Sequence, residues 1–318
     1  DSRRRHSMSK SDRIDVYLVA GGKYHNIDHA RLELLKLLAE QPRIKVRVGE
    51  DYGDIDTICA ADFLITYTCD VVPDAAQTRR LQEYMHGGGK WFALHGTNSI
   101  LEFLAPDAEG NFRVDCPEHN LPFMEILGSQ FVSHPPIHEY EVLATEPDHP
   151  LVKGIPAFRV DDELYLSKFH GEYRTLLHTH WSEPVANFVR TDWVKDNDVQ
   201  PVLYLHPYGK GSVLYLTLGH CRGKYDMQPL IEEYPVPEEG AWRTPEFYEL
   251  LRRGIPAATW TAGRAARRSA SGSACRTAAS FPPSARKRLL DVPHRHQVER
   301  ELRAEALRVR CGEEHAGE

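Results

Sequence analysis

The chain has 318 residues, 41% of them hydrophobic, and 39 Lys/Arg against 46 Asp/Glu give a formal charge of -7. That length suits one large α/β domain or two ordinary ones, with apolar content sufficient for a core. No Lys/Arg stripe crosses residues 1–260, and no run approaches the roughly 18 apolar residues of a membrane span, so neither nucleic acid nor membrane is an expected partner.

The polar, basic start DSRRRHSMSKSDR precedes an apolar run, Ile14 to Ala20, that is too short for a signal segment. Six cysteines (Cys59, Cys69, Cys116, Cys221, Cys275, Cys311) form no CxxC pair, which points to a reducing compartment and a cytoplasmic protein. The main domain is read as residues 8–262, beginning at Met8.

In chain order, IDVYLVA predicts a buried strand, and Asp28 to Glu40 a helix with Leu32, Leu35, Leu38 and Ala39 on one face. IKVRV and DFLITYT predict two further strands. Asp74 to His86 predicts a helix stopped by Gly87–Gly89, and KWFALH a fourth strand. This alternation argues for right-handed βαβ units and an α/β fold with a parallel sheet.

The middle is less regular. FMEILGSQFVSH, HEYEVLA and FRVDDELYLSKF read as strands or strand edges, TLLHTHW as a strand, and PVLYLHPYGKGSVLYLTLGH as a β-hairpin around PYGKG. A last helix, Pro245 to Arg253, closes the domain. Residues 263–318 then carry 12 Lys/Arg against 7 Asp/Glu, whereas the rest carries 27 against 39. That Arg/Ala/Ser-rich tail is expected to be disordered, with a helix conceivable over Gln297 to Arg310.

Four histidines fall where strands run out: His25 in AGGKYHN, His95 in WFALHGTN, His134 in FVSHPP and His220 in LYLTLGH. The carboxyl ends of parallel strands line the crevice of an open α/β sheet, so the pattern gathers imidazoles at one mouth. His95 occupies an elbow followed by Gly96 and Thr97, where related topologies carry a Cys or Ser nucleophile; with no thiol or hydroxyl there, a glutaminase-type covalent mechanism is disfavoured. His134 and His138 have a helical ligand spacing, but Pro135 and Pro136 forbid that helix, so His134 is retained alone. In DDELY, strand alternation would put Asp161 and Glu163 on one face and Asp162 on the other, presenting a general base or ligand beside Tyr165; the plain alternative is a solvated acidic turn. Cys69 and Asp70 point at the same mouth. GGGK and Gly21–Gly22 lack Walker and GxGxxG spacing, so no nucleotide cofactor is expected.

Taken together, GGKYH, TYTCD, GGGKWFALHG, GSQFVSHP, DHP at Asp148 to Pro150, DDELY, YGKGSVLYLTLGH and LLRRGI resemble the ThuA-like, or trehalose-utilisation, family over about residues 14–260. The resemblance implies a flavodoxin-like, glutamine-amidotransferase-like open sheet, mostly parallel, with helices on both faces and antiparallel additions in the second half. It also implies catabolism of trehalose-type disaccharides, acting on sugars or keto-glycosides made by a partner dehydrogenase. The family's LHG, HP, DELY and GH motifs fall on His95, His134, Glu163 with Tyr165, and His220. After residue 254 the chain departs from the family pattern.

The resulting expectation is an isomerase, lyase or hydrolase of (keto-)glycosides. In it, His95, His134, Glu163 and His220 carry catalysis, and His25, Asp70 and Tyr165 contact the sugar. His95, His134 and His220 would hold a divalent metal, Zn or Mn. The alternative is a non-catalytic sugar-binding or scaffold module. The oligomeric state is left open.

Overall fold

The computed structural model describes residues 13–255, apart from 109–110, 112 and 195–197. The expected tail and the boundary at residue 262 lie outside the described residues.

The first half runs β1 (Ile14–Gly22), α1 (Ile27–Ala39), β2 (Ile44–Gly49), α2 (Ile55–Ala60), β3 (Phe63–Cys69), α3 (Ala75–His86) and β4 (Lys90–Leu94). The second half runs β5 (Glu102–Leu104), β6 (Arg113–Asp115), α4 (Leu121–Leu127), β7 (Ser129–Ser133), β8 (His138–Ala144), β9 (Phe158–Asp162), β10 (Leu166–Phe169), β11 (Arg174–His180), β12 (Val199–Tyr208), β13 (Gly211–Leu216) and α5 (Pro245–Gly254). Among the described residues, nine strands form one open sheet in the order β2-β1-β3-β4-β13-β12-β11-β8-β9. From β2 to β13 the neighbours are parallel, and from β13 to β9 they are antiparallel. This is the α/β, flavodoxin-like sheet with antiparallel additions that the alternation and the resemblance predict.

Alternation along β1 explains why both faces need helices. Val16, Leu18 and Ala20 pack with α1 and α5, while Tyr17 and Val19 pack with α2, α3 and α4. The polar starts of the helices are locally encoded. Asp74 accepts from the amides of Ala76 and Gln77 while the Gln77 side chain returns to Asp74 N, a capping box. Asn26 caps α1 through His29 N at 3.1 Å.

Three expectations are corrected. The buried stripe of α1 is Ala30, Leu34, Leu37 and Leu38, while Leu35 is half-buried and Leu32 is 52% exposed, because the sheet takes the neighbouring i, i+4, i+7, i+8 row of the helix. FMEILGSQFVSH is not one strand: Asn120 caps α4, Gly128 at φ +78 stops it, and β7 follows. FRVDDELYLSKF splits into β9, in the large sheet, and β10, which pairs with β7 in a separate two-stranded sheet.

Candidate metal centre

The parallel strands bring their carboxyl ends to one edge, and the residues that follow β1, β4 and β13 supply three histidines there. His95 follows β4 directly and opens a short 3-10 turn with φ +45, a left-handed conformation rare for a branched ring-bearing residue. The turn is pinned because Tyr215 donates its hydroxyl to the His95 carbonyl at 2.6 Å. Gly96 must be glycine: a Cβ there would lie 2.6 Å from the Thr68 carbonyl of β3. The pairing of Leu94 with Leu216 sets His95 beside the continuation of β13, and His95 Nδ1 donates to the Thr217 carbonyl at 2.8 Å.

His25 lies in the loop from β1 to α1. Asn26 N donates to the Cys221 carbonyl at 2.8 Å, tying this loop to the residue after His220. His25 Nδ1 faces the Lys23 carbonyl at 3.2 Å, and its Nε2 stands 2.9 Å from His95 Nε2. His220 gives its Nε2–H to Glu238 at 2.8 Å, leaving Nδ1 directed at Glu163 Oε1, 3.2 Å away. Glu163 Oε2 lies 3.7 Å from His25 Nε2 and 3.5 Å from His95 Nε2. One donor atom each from His25, His95, Glu163 and His220 falls within a 4.8 Å span, and all four residues are buried.

In each of these three imidazoles the ring nitrogen away from the cluster is held by a carbonyl or carboxylate, and the other turns inward. That is how protein sites orient histidine toward a metal. The donor set itself, three imidazole nitrogens and a carboxylate, suits a divalent transition metal. The facing Nε2 atoms of His25 and His95 are the feature that a cation would satisfy. The cluster could therefore hold a metal ion.

His134 enters from the rim, a quarter exposed, with Nδ1 on the Pro135 carbonyl at 2.7 Å and Nε2 3.8 Å from Glu163 Oε1. Tyr165 places its hydroxyl 3.2 Å from His95 Nε2. Asp70 binds Lys23 Nζ at 2.8 Å and the Leu101 amide at 3.3 Å. The expected alternation of Asp161 and Glu163 does not hold. β9 ends at Asp162, so Glu163 turns inward and Asp161 stays exposed, while Asp162 and Glu163 are both buried.

The electrostatics follow from burial among opposed charges. Burial pushes His25 down to about 3, against the pull of Glu163. His220 is pushed up to about 9, because the Glu163 and Glu238 carboxylates outweigh its burial. Glu163 is held well below the usual carboxylate range: burial opposes this, but His220 and His134 outweigh it. Burial raises Tyr165 well above the ordinary phenol value, so its hydroxyl stays protonated.

Sequence reasoning missed Glu238 and Arg222. Arg222 spans Glu163 Oε1 at 3.3 Å and Glu238 Oε2 at 3.0 Å, beneath the Tyr234 ring. Arg222 stands two residues after His220, a proximity that offered a signal. Glu238 sits in EEYPVPEEG, which has the look of a solvated acidic loop.

Residues 15–232 match a family model described as ThuA, trehalose utilisation. A ThuA-like protein from Bacteroides uniformis is similar at 15% identity over 79% of this chain and 93% of its own, with a TM-score of 0.52. A second ThuA-like protein, from Parabacteroides merdae, shares 20% identity over 76% of this chain and 88% of its own, with a TM-score of 0.49. No curated protein matches significantly.

Proposed function

The chain belongs to the ThuA, trehalose-utilisation family, and from that premise we propose that it is a carbohydrate-catabolic enzyme acting on a keto-glycoside of the trehalose type. The reaction would be a metal-assisted proton transfer. The observation that carries this reading is the contact of His25 and His95 through their Nε2 atoms, with both Nδ1 atoms turned to carbonyls. It supports a resident Zn or Mn ion held by His25, His95, His220 and Glu163. His134, the third imidazole of the expected ligand set, then serves at the rim.

A bound divalent ion supplies Lewis acidity toward a substrate carbonyl or hydroxyl. The chain's own groups do the rest. His134, whose pKa burial lowers, offers a neutral Nε2 at the half-open rim and takes a proton from the sugar. Glu163 Oε1, between His134 and His220, holds that proton's charge in the buried interior. Tyr165 donates its hydroxyl to a sugar oxygen.

The substrate's source would be a sugar dehydrogenase acting upstream. Cys59, Cys69, Cys116 and Cys221 are free, and among the described residues no helix is long and apolar enough to cross a membrane. Both features fit the proposed cytoplasmic setting.

The test is turnover of a 3-keto-trehalose by the zinc- or manganese-loaded protein, with His95→Ala as control. Turnover abolished in the variant supports the reading. Saturable sugar binding without turnover by the loaded wild type would overturn it in favour of a non-catalytic sugar module.

A further inference from the structure

Asp162 is a fully buried carboxylate that the chemistry above does not use. Its hydrogen bonds go to main-chain N–H groups, two on each oxygen. Oδ1 accepts from Glu163 at 2.7 Å and His220 at 3.2 Å. Oδ2 accepts from Gly219 at 3.1 Å and Ala241 at 2.8 Å.

Those amides come from three separate stretches of chain. One carries Glu163, the second carries His220, and the third follows Glu238, the partner of His220 Nε2. A single carboxylate therefore sets the spacing of two inward-facing donors and of the acidic residue that orients one of them. Burying such a charge is costly unless its lone pairs are filled, and four N–H donors fill them. The third stretch is moulded to the same group. Gly240 has φ +49, and a Cβ there would lie 2.2 Å from the His220 carbonyl and 2.8 Å from Asp162 Oδ2.

We propose that Asp162 is the positioning residue of the centre, holding Glu163, His220 and the Glu238 segment in working register before any ion or sugar arrives. The part of the test that uses zinc rests on the metal reading above. The part that uses the metal-free protein does not.

Asp162→Asn keeps the side-chain shape but turns an NH2 group toward two of the four N–H donors. In full-length, metal-free protein labelled with 15N-histidine and 15N-tryptophan, the His220 Nε2–H signal should shift or be lost to exchange. The Trp91 indole signal, from a group bonded to Thr66 deep in the sheet, should stay in place. Zinc alone, titrated against a chromophoric chelator, should bind about 10- to 100-fold more weakly. Gly240→Ala disturbs the same hub from the opposite side and should give the same pair of changes.

An unchanged His220 signal in either folded variant would overturn the proposal. So would failure of both variants to fold, which would make Asp162 a folding determinant instead. If wild-type protein binds no zinc, the metal reading fails and the His220 signal alone decides the role of Asp162.

Discussion

His25 and His95 meet Nε2 to Nε2 at 2.9 Å while each Nδ1 faces a carbonyl, Lys23 at 3.2 Å and Thr217 at 2.8 Å. Two neutral imidazoles hold two protons, yet this chain of three contacts needs three donors. A cation between the rings removes the conflict, and a metal ion does so without charging either ring.

Zinc should therefore stabilise the folded protein by mass action, about 2.7 kcal/mol at a hundredfold excess over the dissociation constant. Thermal melts with and without zinc, followed by chelator, should show a reversible rise in Tm for wild type and little or none for His25→Ala. A rise of equal size in the variant would count against His25 as a ligand.

The pH dependence has a definite sign. His220, folded value about 9, has been raised above its unfolded value near 6.5, so its contribution to metal-free stability is full below pH 6.5 and is lost as pH rises toward 9. His25, folded value about 3, has been depressed, so its contribution is present above pH 6.5 and is lost as pH falls toward 3. Zinc must displace the proton on His220 Nδ1. Zinc affinity should accordingly climb about tenfold per pH unit between 6.5 and 9, measured by competition titration. A flat profile there would exclude His220 as a ligand.

Tyr165→Phe removes a hydroxyl 3.2 Å from His95 Nε2 and leaves the ring packing against Phe131 intact. Stability should change by less than about 1 kcal/mol, whereas kcat on a keto-glycoside should fall by roughly 10²-fold. Denaturant melts and steady-state rates separate the two effects; an unchanged kcat in the folded variant would contradict the assignment.

The parallel half of the sheet is readable because its signals are local: mostly apolar strands such as FLITYTC and WFAL, a capping box at Asp74, and glycines where α3 stops. The histidines at strand ends follow from the same reading, since topology alone sends those ends to one edge. What the sequence conceals depends on contacts distant along the chain. Strand alternation misassigned Asp161 because β9 stops one residue before Glu163, and what fixes that end is Asp162 bonding to Gly219 and Ala241. Glu238 has no periodic context and becomes meaningful only through His220.

Trp242 makes a comparable long-range contact. Its indole N–H donates to the Gly219 carbonyl at 2.8 Å, and its ring packs on His29, Tyr67 and Phe247. Trp242→Phe should cost about 1–3 kcal/mol, because the buried Gly219 carbonyl loses a partner and a gap opens. Urea denaturation measures it, and no change would mean that the neighbouring Tyr67 hydroxyl, also on Gly219 O, suffices.

The most direct test is elemental analysis of the purified full-length protein, wild type beside His95→Ala and His220→Ala. Near-stoichiometric zinc or manganese in wild type, lost from both variants, is the predicted result. Wild-type protein that holds no divalent metal even after reconstitution would contradict the metal centre and leave the facing imidazoles bridged by a proton.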